Sequence, residues 1–174
     1  DVIMLAHTKN TSDFQDKDSL LYRILISDYF KIPHEDVLEF MRLVKHKRDK
    51  AREESDFYDI TLFKEFISGF DLNKGDAPEK KDLSKLAILK EIKLKNPLAL
   101  AHAAWTISML LKDSETRPVH AILLEYIKNA GIYKFILGEY ADNSILRIRD
   151  LRAITSFVNM VKTSDLNKPA LNIA

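Results

Sequence analysis

The chain has 174 residues, and 27 Lys and Arg stand against 26 Asp and Glu, a formal net charge of +1. That balance excludes a partner held by overall charge, so any electrostatic argument must be local. With no Cys there is no disulfide, no thiolate nucleophile and no Cys-based zinc or iron–sulfur centre.

Four Gly and five Pro among abundant Leu, Ile, Lys, Glu and Ala point to helices rather than a turn-rich β protein. A start at Asp1 rather than Met reads as a fragment or a processed form. Residues 1–17 are expected to be a polar N-terminal segment, 18–162 a single helical domain and 163–174 a C-terminal tail. The apolar run Val2–Ala6 lacks a basic leader and is too short for a signal-peptide core. The setting expected is cytoplasmic or otherwise intracellular.

The first helix is expected over about Asp18 to Phe30, capped by Asp18 or Ser19, with Leu20, Leu21, Ile24 and Leu25 as its apolar stripe. Pro33 opens a second helix, with Glu35 and Asp36 in the first turn, where the helix dipole favours acid. Val37, Phe40, Met41 and Val44 form a clean i, i+3, i+4, i+7 stripe. Beyond it the helix turns basic: Arg42, Lys45, Lys47, Arg48, Lys50 and Arg52 face only Asp49 before Glu53 and Glu54 reverse the sign. This end is expected to project from the body or lie on its surface.

Asp59 is a candidate cap for a third helix to about Phe70, and Gly69 to Pro78 reads as a loop. A fourth helix is expected over about Glu79 to Lys95, with Leu83, Leu86, Leu89 and Ile92 inward and Lys81, Lys85 and Lys93 outward. Asn96 and Pro97 then begin a segment to Leu111 with no Asp, Glu, Lys or Arg. A helix apolar on nearly every side is buried on nearly every side, so 97–111 is expected to be the central helix. Its 16 or so residues span about 24 Å against a hydrocarbon core of about 30 Å, so it is not read as a membrane segment. Trp105 within it is expected to anchor the core.

Thr116 and Pro118 start another helix, and Gly131 is a natural left-handed stop. A short helix follows over Ile132 to Tyr140. Asp142 or Asn143 caps a last long one to about Lys162, with Leu146, Ile154, Phe157, Val158 and Val161 inward and an Arg147–Asp150 ion pair at i, i+3 spacing. The fold class expected is all-α, a compact single-domain bundle of seven or eight helices around 97–111.

No Walker A pattern, GxGxxG, GxSxG elbow or His-Glu-x-x-His is present. Asp71 to Asp82 resembles a calcium loop only superficially: the positions that need Asp or Asn, Gly and a bidentate Glu hold Gly75, Asp76 and Asp82. His102 reads as a core histidine satisfied by Thr106 or a backbone carbonyl, and an enzyme would need it to meet His120. No catalytic residue, cofactor or metal is expected. The reading is a non-enzymatic interaction or assembly module that binds a protein partner or self-associates. Tyr133, Phe135 and Tyr140 are its candidate interface, and the basic second helix steers an acidic partner. The alternative is an RNA- or DNA-binding protein that sets Arg42, Lys45, Lys47, Arg48, Arg52, Lys81, Lys85, Arg149 and Arg152 against phosphates.

Overall fold

In the computed structural model, residues 14–53, 60–72, 75–114 and 116–166 are described. They form seven α-helices and three 3-10 turns, with no strand among them. The class is all-α. The α-helices are α1 (Phe14–Leu25), α2 (His34–Glu53), α3 (Leu62–Phe70), α4 (Pro97–Asp113), α5 (Val119–Asn129), α6 (Ile132–Glu139) and α7 (Ser144–Leu166). The chain divides into two compact units, Asp1–Met109 and Leu110–Ala174. The division falls inside α4, so the helix expected as the hub of one bundle contributes residues to both.

In the first unit, α3 packs against α1, α2 and the 3-10 turn Ala87–Lys90. Its centre is an aromatic triad: Phe40 of α2 lies 5.8 Å from Phe66 and 5.4 Å from Phe70, and the α3 pair is 5.5 Å apart. The tilted and edge-on arrangements suit the ring quadrupoles. Leu21, Ile24, Leu25, Val37 and Val44 complete the buried layer, as their helical spacing predicts. Gly69 belongs to α3 rather than to a loop. A Cβ there would stand 2.7 Å from Ile88 Cδ1, so the missing side chain lets the two elements approach closely.

Two buried or half-buried aspartates tie helices far apart in sequence. Asp18, expected to cap α1, lies in the second turn of that helix because α1 begins at Phe14. Its carboxylate instead accepts from the backbone N–H groups of Leu62 (3.1 Å) and Phe63 (3.0 Å), the free donors at the start of α3. Thr61 adds a local cap, accepting from Lys64 N–H at 3.1 Å. Asp59, the expected cap, lies outside the described residues. Asp36, only 2% exposed, accepts from the N–H groups of Lys95 (2.8 Å) and Asn96 (2.7 Å), just ahead of α4.

The expected helix over Glu79–Lys95 does not form. Two 3-10 turns, Lys80–Lys85 and Ala87–Lys90, replace it. Leu83, Leu86, Leu89 and Ile92 recur every three residues, the period of a 3-10 turn rather than of an α-helix. Leu86 between the turns is extended (φ −79°, ψ 104°), which lets both Leu86 and Ile88 bury. The first helix also stops early. Ser27 is extended and its hydroxyl donates to the Arg23 carbonyl at 2.9 Å, and a separate turn covers Asp28–Phe30.

From Leu98 to Leu111, no residue of α4 is exposed, and Leu100, Ala101, Ala103, Ala104 and Ile107 are buried. Trp105 is half-buried rather than a core anchor. It packs on His102 (5.6 Å), which in turn meets Phe30 edge-on (6.4 Å). Trp105 Nε1 is shielded from solvent and finds no hydrogen-bond acceptor among the described residues.

In the second unit α5, α6 and α7 pack on one another. Gly131 adopts the left-handed conformation (φ 74°) as the α5 stop, and Asn143 caps α7 by accepting from Leu146 N–H at 3.1 Å. Ile122, Leu123, Tyr126 and Ile127 of α5 are buried, but among the described side chains of α7 only Val158 is. Phe157, expected inward, is 42% exposed. Asp150 pairs with its neighbour Arg149 at 2.7 Å rather than with Arg147. Among the described residues no helix is long and apolar enough to cross a membrane.

Candidate functional site

The second helix carries the strongest local charge, and its surroundings decide what that charge can do. Lys47 is folded inward. Its ammonium lies 3.0 Å from Glu65 of α3 and 3.1 Å from Glu91. Burial works against its charge, but the hydrogen bonds and fields of the two glutamates outweigh it, and its pKa is raised. Arg48 is also used internally: Nε donates to the Ile60 carbonyl at 3.1 Å and Nη2 lies 3.5 Å from Asp18. Of the two expectations for the basic end, projecting from the body or lying on its surface, these contacts favour the second for Lys47 and Arg48. The acids that hold them lie 18 to 44 residues away in sequence, beyond the reach of charge patterns within the helix.

Arg42 makes an exposed i, i+3 pair with Glu39, whereas Lys45 and Arg52 are exposed and carry no ion pair among the described residues. Of the other expected cations, Lys81 pairs with Glu79 at 2.8 Å and Lys85 with Asp82 at 3.3 Å, both in the first unit. Arg149 and Arg152 belong to the second unit. Arg149 is held by Asp150, and Arg152 is exposed with no ion pair among the described residues.

Beside Arg42 and Lys45 an open groove of about 590 Å³ runs between α1 and α2 and reaches the start of α3. Tyr22, Leu38, Met41, Val44 and Leu62 line its floor, and Arg42, Lys45, Arg48, Asp18 and Ser19 its rim. Leu38 is 38% exposed, a large apolar side chain left uncovered here. The one acid at the rim, Asp18, is already engaged by two backbone N–H groups and Arg48. The groove thus combines an apolar floor with a net cationic edge.

The groove was only half legible in advance. Leu38, Met41, Lys45 and Arg48 recur at three- and four-residue steps, a second stripe beside the buried one. That stripe can be read from the sequence, but Tyr22 and Leu62 join it only through packing.

Tyr133, Phe135 and Tyr140, the expected interface, are all half-buried. The Asp150 pKa is lowered, first by the Arg149 hydrogen bond and further by the Tyr140 hydroxyl. Among the described residues of this unit the large exposed apolar side chains are Leu124, Leu137, Ile145, Ile148, Phe157 and Met160 instead.

His102 lies in the first unit and His120 in the second. The Thr106 hydroxyl donates to the His102 main-chain carbonyl at 2.8 Å, so that bond satisfies the helix rather than the imidazole. Among the described residues no group of three or more His, Asp or Glu could hold a metal ion. In the loop over 71–82, Asn73 and Lys74 lie outside the described residues, and the Asp82 carboxylate is taken by Glu79 N–H (3.1 Å) and Lys85.

Set against protein-family models, curated proteins and solved structures, the chain matches none. The site is accordingly read from its own chemistry.

Proposed function

We propose that the chain is a non-enzymatic interaction module that seats a segment of a protein partner in the α1–α2 groove. The uncovered Leu38 in the apolar floor carries this reading, because apolar surface recessed between helices is what a partner's side chains bury. The cationic rim adds orientation and on-rate more than affinity.

A nucleic-acid reading has one observation in its favour. Lys45 and Arg52 are unpaired among the described residues and stand seven residues apart on one face of α2. Against it, Lys47, Arg48, Lys81 and Lys85 already have acidic partners, and phosphates gain nothing from an apolar floor.

Panning a random 12-residue peptide library on the full chain tests the choice. Clones whose binding is removed by Leu38→Asp are expected. Leu38 is exposed, so the variant folds normally. A library that yields no such clone sinks the reading. So does tight binding of single-stranded RNA at about 50 mM salt, where phosphate contacts are strongest, that Leu38→Asp leaves unchanged.

A further inference from the structure

Resting on that reading of the groove, we infer that its occupant is an acidic amphipathic helix of a partner protein. The dimensions fit first. Leu38 and Arg48 bound the α2 wall, and ten residues at about 1.5 Å each give about 15 Å, close to three helical turns. A partner helix of that length presents two or three apolar anchors at i, i+3 or i+4, and i+7, the usual pattern of helix-in-groove recognition.

Polarity along α2 supplies the rest. Leu38, Met41 and Val44 run along the floor side of the wall, and Arg42, Lys45 and Arg48 run along its rim. Lys45 has no ion pair among the described residues. Arg42 is held only by an exposed pair with Glu39, an arrangement of little net strength that a partner carboxylate can replace. Arg48 spends Nε and Nη2 within the fold, and a guanidinium carries five N–H donors, so others remain for a partner. Asp18 keeps its negative charge, but its carboxylate is already taken by the start of α3 and by Arg48, and three cations outnumber it at the rim. The occupant therefore carries apolar anchors on the face that meets the floor and carboxylates along the edge that meets the rim. A neutral helix leaves Lys45 uncompensated at the edge of a desolvated contact, and a basic one is repelled.

The peptides selected above decide it. Leu38-dependent clones are expected to be net acidic, with apolar residues at helical spacing. The strongest is then synthesised with a fluorescent label and titrated by anisotropy. Arg42→Glu with Lys45→Glu is expected to weaken it at least about tenfold, and raising salt from about 50 to about 300 mM to weaken it further. Both substituted residues are exposed, and an unchanged circular-dichroism melt checks their fold. Leu38-dependent clones that are neutral or basic, or indifferent to the double charge reversal, overturn the acidic occupant while the groove reading stands. A concentration-dependent dimer dissociated by Leu38→Asp makes a second copy the occupant and also overturns it. RNA binding weakened by the charge reversal but not by Leu38→Asp overturns both.

Discussion

The two units are built from the same kind of helix but held in different ways. In the first, polar ties reach across the sequence: Asp18 caps a helix more than forty residues away, and Asp36 caps the approach to α4 from about sixty residues away. Lys47 bridges two glutamates from separate elements. In the second, the polar ties are short-range: Arg117 with Asp113 and Glu125, Arg149 with Asp150, Asn143 with Leu146 N–H. The first also holds an aromatic triad, whereas among the described side chains of the second unit's longest helix only Val158 is buried. Such a difference teaches where mutational sensitivity should concentrate. Long-range ties lose their partner groups together, and short-range ones fail singly.

Substitutions in the two units can break or sharpen that contrast. The largest effect is expected from Phe66→Ala, about 4 kcal/mol by urea unfolding followed at Trp105, because it removes the centre of the triad. Asp36→Ala follows at about 3 kcal/mol, since two N–H groups lose a charged acceptor in a buried place. Asp36→Asn keeps one acceptor oxygen and is expected to cost less. An alanine variant within about 0.5 kcal/mol of the parent would remove the long-range cap from the account.

Val158→Ala is expected to cost about 1.5 kcal/mol, two buried methyl groups' worth. If it destabilises as much as Phe66→Ala, the contrast between the units fails.

Lys47→Met is expected to cost about 1 kcal/mol or less at neutral pH, because an apolar replacement also relieves desolvation. The lysine's raised pKa means its contribution is fully present below the ordinary value of 10.5 and fades as pH rises through the raised one. The difference between parent and variant should therefore shrink in strongly alkaline urea titrations. Arg117→Ala, at an exposed ion pair, is expected to leave the urea midpoint where it was.

Trp105 shows how far a strong local pattern can mislead. A charge-free run made it a core anchor, yet it is half-buried beside His102 with a shielded indole N–H that has no acceptor among the described residues. Lack of charge marks a segment as enclosed without saying which neighbour covers each side. The failed helix over Glu79–Lys95 teaches the complementary point: its leucines recur every three residues, and the departure from the 3.6-residue period was already visible.

What the sequence by itself determined is the helical class, the ends set by Pro33, Pro97 and Gly131, and the inward faces of α1 and α2. These follow from apolar spacing and from backbone chemistry a few residues wide. Tertiary structure alone decided that Asp18 caps α3, that Asp36 serves α4, and that Lys47 and Arg48 turn inward while Lys45 stays free of ion pairs among the described residues. It also placed Tyr22 and Leu62 beside Leu38 and Met41 to make the groove. The physical reason is distance along the chain. A carboxylate acts on whatever donor lies within about 3 Å, and only folding brings residues forty or sixty positions apart within that reach.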